Sequence, residues 1–197
     1  MHLISKILRY LLRQWELLLY KLRIVKLKML YPGISIDFKT QIEKDCSVVC
    51  VKGGSLNILN SHISFGTHIK ADKGSLISIH NSFVGRNCVI ASKEQIMISD
   101  NCLIAEMVVI RDQDHMVDYT YRNSFKTSPI KIEKNVWIGA KASILKGVTI
   151  GKNSVVAASA LVTKDIPQRE VWGGIPARFI KRISKEMAVV SDSPTIN

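Results

Sequence analysis

The stretch "IEKNVWIGAKASILKGVTIGKNSVVAASALVTKD", Ile132 to Asp165, returns an aliphatic residue at every sixth position: Ile132, Ile138, Ile144, Ile150, Val156 and Val162. Neither the 3.6-residue period of a helix nor the two-residue alternation of a strand produces that spacing. With the aliphatic residue as position i, position i+4 holds Val136, Ala142, Val148, Ser154 and Ala160, all small. Position i+1 holds Glu133, Gly139, Leu145, Gly151, Ala157 and Thr163. This is the hexapeptide form of the β-helix repeat, in which three short strands and three turns close one triangular coil of about eighteen residues. The i side chain fills the interior of the prism, and the i+4 residue points into a corner that admits only a small group. Coils stack about 4.8 Å apart through parallel backbone hydrogen bonds. Six residues are one side of the triangle.

The register continues upstream with interruptions. Ile98, Ile104 and Ile110 form one coil, Ile79, Val84 and Ile90 another, and Ile58, Ile63 and Ile69 a third. Ile36, Ile42 and Val48 open the prism. Thr40, Cys46, Thr67, Cys88, Cys102 and Val108 take the small inward position. These coils lie about twenty residues apart, so one corner carries small loops, and "VKGGS" and "ADKGS" suit it. The fold expected is an all-β solenoid, a left-handed parallel β-helix over 34–172.

The 197 residues suffice for one domain with a real core. The formal net charge of +12 favours anionic partners. No nucleic-acid-reading motif accompanies it and aromatics are only 7%, so nucleic acid is not the expected partner. The four cysteines, Cys46, Cys50, Cys88 and Cys102, form no CxxC pair or metal-type cluster, and read as buried thiols in a reducing cytoplasm. No metal site is expected.

Residues 1–31 read as an amphipathic helix ended by Pro32-Gly33. Ile4, Ile7, Leu8, Leu11, Trp15, Leu18, Leu22, Val25 and Met29 follow i, i+3/i+4 spacing, with Lys6, Arg9, Arg13, Glu16 and Arg23 toward the other side. Its apolar runs are far shorter than the ~20 residues that span a bilayer. Charges also interrupt every candidate signal-peptide core. Two readings remain open: a helix packed on its own protein or a sister subunit, or a basic helix lying on anionic lipid at the inner face of the plasma membrane.

Two segments break the repeat. "RDQDHMVDYTYRNSFKTSP" opens an excursion over 111–131, and long loops inside compact repeats are commonly functional. The second break is 173–190, where Gly173-Gly174 and Pro176 make a turn and Ala177 onward reads as a short basic helix. Residues 191–197 read as a flexible tail. Of the five histidines, His2, His62, His68, His80 and His115, only His115 lies in the excursion. His62 and His68 are six apart, which sets them on different prism sides.

The motifs W-I-G-A (137–140), G-V-T-I-G (147–151), V-T-K-D-I-P (162–167) and G-I-P-A-R (174–178) closely resemble the hexapeptide-repeat acyltransferases, in the galactoside, maltose and nodulation-factor O-acetyltransferase branch. The resemblance is dense from about Ile110 to Ile183. It implies a homotrimer that binds acetyl-CoA in the groove between adjacent prisms and acetylates a saccharide acceptor of the cell surface. "DQDHMVD" resembles the family's D-H-x-H segment, whose last histidine is the base; Gln113 replaces its first histidine. By resemblance Gly139, Ala140 and Ala158 line the cofactor arm, Trp137 flanks the reactive end, and Thr163 and Lys164 follow the cofactor upward. Arg178 and Lys181 meet its phosphates, as suits guanidinium and ammonium groups.

Acyl transfer to a hydroxyl needs a base that takes the proton as oxygen attacks the thioester. A neutral imidazole suits this, so His115 is the expected base. Asp112 or Asp114, with Asp118 nearby, is the expected orienting partner. Three other readings stay open at this point: an N-acetyltransferase of an amino sugar, a zinc β-helix enzyme of the carbonic anhydrase kind, and a binding protein without catalysis.

Overall fold

The computed structural model describes residues 2–116 and 124–184. Its body is a β-solenoid of about six turns carrying one N-terminal helix, consistent with the left-handed β-helix of hexapeptide repeats that the sequence predicts. Three parallel sheets form the sides. Face A stacks Ile34–Ile36, Ser55–Leu59, Leu76–His80, Gln95–Ile98, Ile130–Ile132 and Thr149–Ile150. Face B stacks Gln41–Ile42, His62–Ile63, Phe83–Val84, Leu103–Ile104, Trp137–Ile138 and Val155–Val156, then Glu170–Gly173. Face C stacks Ser47–Cys50, His68–Ala71, Val89–Ser92, Val109–Arg111, Ser143–Ile144 and Leu161–Val162. We number the coils 1 to 6 from the N-terminus.

The register is the one the period dictates. Ile36, Ile58, Ile79, Ile98, Ile132 and Ile150 pair in one column of face A, each buried. Ile63, Val84, Ile104, Ile138 and Val156 do the same on face B, and Ile69, Ile90, Ile110, Ile144 and Val162 on face C. A second inward column on face A holds Ile34, Leu56, Ile77, Ile96 and Ile130, larger than the residues at the other inward corner positions. This is the corner where the loops at 51–54, 72–75 and 93–94 widen the turn, so a full aliphatic side chain fits there.

The corners demand left-handed backbone. Between faces A and B, Asn60, Asn81, Asn101, Asn135 and Asn153 have φ between 44° and 60°. Asparagine tolerates this conformation better than most residues with a Cβ. Asn135 also donates through Nδ2 to Asn153 Oδ1 at 2.9 Å, which ties one coil to the next.

Of the three cysteines expected inward, Cys88 and Cys102 are fully buried, whereas Cys46 in coil 1 is only half-buried because no coil precedes it. Cys50 is buried, and no disulfide joins any of the four.

Helix α1 (His2–Leu30) packs on coil 1 through its C-terminal half. Ile24 is fully buried and Leu27 and Tyr31 join it, while Arg23 Nη1 donates to the Ile42 carbonyl at 2.9 Å.

The short C-terminal helix expected after Ala177 is corrected. Arg178–Arg182 is a strand, antiparallel to Glu170–Gly173, with Trp172 opposite Phe179 and Gly173 opposite Arg178. The last coil leaves an open edge on face B, and a segment with Phe179 and Ile180 covers it better as a strand than it could as a helix. Residues 185–197, which include the expected tail, lie outside the described residues.

Candidate active site

Two clusters of the expected residues form, on different corners of the prism. The first is at the corner between faces B and C, in coils 5 and 6. Trp137 projects outward from face B and is half exposed, between Leu103 below and Val155 above. Two positions further, Gly139 sits where the chain turns. A Cβ there would lie 2.6 Å from the Ala158 backbone nitrogen, so only glycine lets the two coils approach. Ala140 stacks beneath the next turn, its carbonyl accepting from Ser159 N–H at 2.8 Å, and Ala158 is exposed.

The column of small residues continues upward to Gly173, where a Cβ would meet that of Ala157 at 2.9 Å. Arg178 stands opposite Gly173 and Lys181 opposite Val171, both exposed. From Trp137 to Lys181 the ladder runs through Val155 and Val171, three steps or about 14 Å at the usual strand spacing. An apolar ring lies at one end, small residues along the length and two cations at the other. That sequence of surfaces fits a long arm ending in phosphates.

The second cluster is at the corner between faces C and A. After Arg111 the chain leaves the prism as an antiparallel hairpin, Gln113–His115 against Phe125–Thr127. Its base is held by Asp112, which is fully buried. Asp112 accepts from Ser92 Oγ at 2.5 Å, Lys93 N–H at 2.8 Å and Glu94 N–H at 2.9 Å. The other leg returns through Ser128, whose N–H donates to the Asp112 carbonyl at 3.0 Å. Gly147 N–H in turn donates to the Ser128 carbonyl at 3.0 Å. Asp114 Oδ2 pairs with Lys146 Nζ at 2.8 Å, pinning the hairpin to coil 5.

His115 lies exposed on this hairpin, with its ring 4.3 Å from that of Phe125. Lys93 Nζ stands 4.0 Å from the Phe125 centroid on the prism side and 2.9 Å from Asp72 Oδ2. Burial of Asp72 opposes its ionisation, but Lys70 and Lys93 outweigh it and hold the carboxyl below its ordinary range. A fixed ammonium thus props the aromatic ring on which the imidazole rests. Phe125 and Lys93 were not singled out in the sequence. An aromatic residue within the excursion was the available signal for Phe125. Nothing in the spacing pointed to Lys93, which reaches the site from the corner loop of coil 3.

This geometry corrects the expected role of Asp112. Its oxygens are committed to the corner of coil 3, so it anchors the hairpin rather than orienting His115. Asp114 is adjacent to His115 in an extended strand, so the two side chains leave opposite faces. Its carboxylate turns to Lys146. Asp118 lies outside the described residues.

Thr163 and Lys164 follow face C of coil 6, with Leu145 N–H donating to the Val162 carbonyl just below. They therefore share the corner of the His115 hairpin and not that of Trp137 and Ala158. The side of the triangle between these corners, Ala140 to Leu145, is about 16 Å at 3.3 Å per residue. Within the described residues of one chain, His115 does not reach the Trp137–Ala158 groove.

The three histidines of the prism itself occupy three different faces. His62 on face B bonds Glu43 Oε1 at 2.9 Å and stacks on Phe83. His68 is on face C, and His80 on face A bonds Ser78 at 2.9 Å. Among the described residues, no group of three His, Cys, Asp or Glu side chains is arranged to hold a metal ion.

The family described as bacterial transferase hexapeptide (six repeats) matches residues 129–164, the part that builds coils 5 and 6. The galactoside O-acetyltransferase of Escherichia coli (strain K12) is 41% identical over 114 residues, 56% of this chain and 56% of that protein. A solved hexapeptide-repeat acetyltransferase of Vibrio cholerae O1 biovar eltor, complexed with acetyl coenzyme A, is 32% identical with a TM-score of 0.57. That match covers 66% of this chain and 72% of the other. The maltose O-acetyltransferase of Clostridium difficile 630 is 30% identical with a TM-score of 0.52, over 84% of this chain and 77% of its own. The chain spans between half and two thirds of the length of the curated relatives it matches.

Proposed function

The chain belongs to the hexapeptide-repeat transferases, and from that premise we propose that it moves an acetyl group from acetyl-CoA to a hydroxyl of a cell-surface saccharide or its precursor. The observation that carries this reading is an exposed imidazole, His115, on a hairpin whose base is locked into the prism by a buried carboxylate. The similar galactoside and maltose O-acetyltransferases support the choice of a sugar hydroxyl as acceptor.

The groove at the face B–C corner fits the donor. Gly139 lets coils 5 and 6 close up to form the groove wall, exposed Ala158 keeps that wall low beside the arm, Trp137 bounds the acyl end, and Arg178 and Lys181 face the phosphates. When bound, the thioester supplies an already activated acyl carbon, so no covalent enzyme intermediate is needed. Neutral His115 takes the proton of the acceptor hydroxyl as that oxygen forms its bond to the acyl carbon. The imidazolium then returns the proton to the departing sulfur. The Phe125 ring, braced by Lys93, keeps the imidazole in place between the two transfers.

The separation of the two clusters favours a site shared between copies. A cyclic assembly sets one copy's hairpin corner against the next copy's groove, and the homotrimer is the form we propose. Thr163 and Lys164 then approach the cofactor from the hairpin side.

The test is acetyl-CoA turnover against a panel of saccharides, with product analysed for a base-labile ester. His115→Ala should lower kcat by at least about 100-fold while acetyl-CoA still binds. An amide product would move the reaction to an amino sugar. Undiminished turnover by the variant would remove His115 from the reaction.

A further inference from the structure

We propose that helix α1 lies on an anionic phospholipid surface, through the apolar stripe that runs from Ile4 to Met29. The helix has two apolar faces, and only one is used by the protein. Ile24, Leu27 and Tyr31 close coil 1. The stripe itself points the other way, its members between 42% exposed at Val25 and 80% exposed at Met29. Such a continuous row is not the scattered surface hydrophobicity of an ordinary monomer.

Charge selects the occupant. Lys21, Lys26 and Lys28 flank the stripe and Lys6, Arg9 and Arg13 lie on the opposite side, all exposed, and Glu16 is the only acidic residue of the helix. A second copy of the same helix would bring Lys21, Lys26 and Lys28 against their own kind, the opposite of the complementary flanks that stabilise paired helices. An anionic lipid surface accepts the whole pattern. The stripe enters the acyl boundary, Lys21, Lys26 and Lys28 extend along its edges to the headgroups, the cations of the opposite side add their longer-range attraction, and exposed Trp15 and Tyr10 sit at the interface. No described helix is long and apolar enough to cross a membrane, so α1 lies in the plane of the surface. Because α1 packs at coil 1 while the groove is in coils 5 and 6, this inference stands apart from acyl transfer.

The full-length chain is to be sedimented with vesicles of phosphatidylcholine alone and with phosphatidylglycerol mixed in. Binding should be at least about 10-fold tighter to the anionic vesicles and fall sharply at about 0.5 M salt, where the screening length is only a few ångströms. Trp15 emission should shift to the blue on binding, a change lost in Trp15→Phe. The double variant Leu11→Glu, Leu18→Glu should keep its helix content and sedimentation mass but no longer pellet with vesicles. Equal binding to neutral vesicles, or none to anionic ones, overturns the proposal. So does a drop in solution mass of the double variant, which would make the stripe an interface between protein chains.

Discussion

At the scale of single residues, buried Asp112 decides whether the hairpin is a device or an accident. Three donors, the Ser92 hydroxyl and the Lys93 and Glu94 N–H groups, depend on one carboxylate. Asp112→Asn turns an amide hydrogen toward at least one of them, and an unsatisfied buried donor costs about 1–3 kcal/mol. The variant should lose that much stability in urea titration and also turn over more slowly. Its pH–rate midpoint should stay in place, since an anchor does not touch the proton in flight; a shifted midpoint would restore Asp112 as the partner of His115. Cys88 and Cys102 make the second residue-level case. Burial pushes both thiols up to about 11. The raised folded value means the unfolded chain sheds these protons first as pH rises, so their contribution is intact below about 9 and fades toward about 11. Denaturation midpoints should decline over that window, and Cys88→Ala, Cys102→Ala should flatten the decline. The sequence showed the small inward positions of these thiols through the period alone. It did not show the corner loop that captures Asp112, because that contact joins residues about twenty apart through a turn with no periodic signal.

At the scale of elements, the period-six pattern gave every strand of coils 2 to 6, since each buried aliphatic recurs in one column. It gave coil 1 as well, where Ile36, Ile42 and Val48 are buried in register with Ile58, Ile63 and Ile69, but it carries no information on the segments that flank the prism at either end. At the C-terminus "RFIKR" has basic residues at helical spacing, yet an uncovered strand edge is the stronger influence, and the segment pairs with Glu170–Gly173. At the N-terminus the helix was legible but the face it buries was not. The prominent stripe is exposed, while the less conspicuous Ile24 is buried. The coil-to-coil contact at the groove gives the element-level prediction. Gly139→Val places a branched side chain where a Cβ would already sit 2.6 Å from Ala158 N and 2.9 Å from Val156 O. Backbone on the neighbouring coil cannot step aside, so overpacking should cost about 1–3 kcal/mol and weaken acetyl-CoA binding together with stability. Ala158→Trp, on an exposed position, should weaken binding while the melting temperature stays within a degree or two. Calorimetry and thermal melts on the pair separate a groove wall from a structural spacer.

At the scale of the whole molecule, the two clusters lie one triangle side apart, about 16 Å by strand geometry. If the reaction uses both, each chain supplies half of two different sites. That arrangement has a consequence no single-chain site can imitate. Take His115→Ala, which lacks the base but keeps the groove, and Ala158→Trp, which keeps the base but blocks the groove; each alone should be nearly inactive. Co-refolded in equal amounts, they should recover about a quarter of wild-type turnover, because in a closed ring each boundary has that chance of pairing an intact hairpin with an intact groove. Recovery should require refolding rather than simple mixing if the assembly exchanges slowly. It should track a species three times the 22.1 kDa chain mass in sedimentation equilibrium. Were both halves drawn from the same chain, every site in the mixture would carry one lesion and no activity would return. The outcome therefore distinguishes a shared site from a contained one even before the acceptor sugar is identified, provided any saccharide in the panel is acetylated.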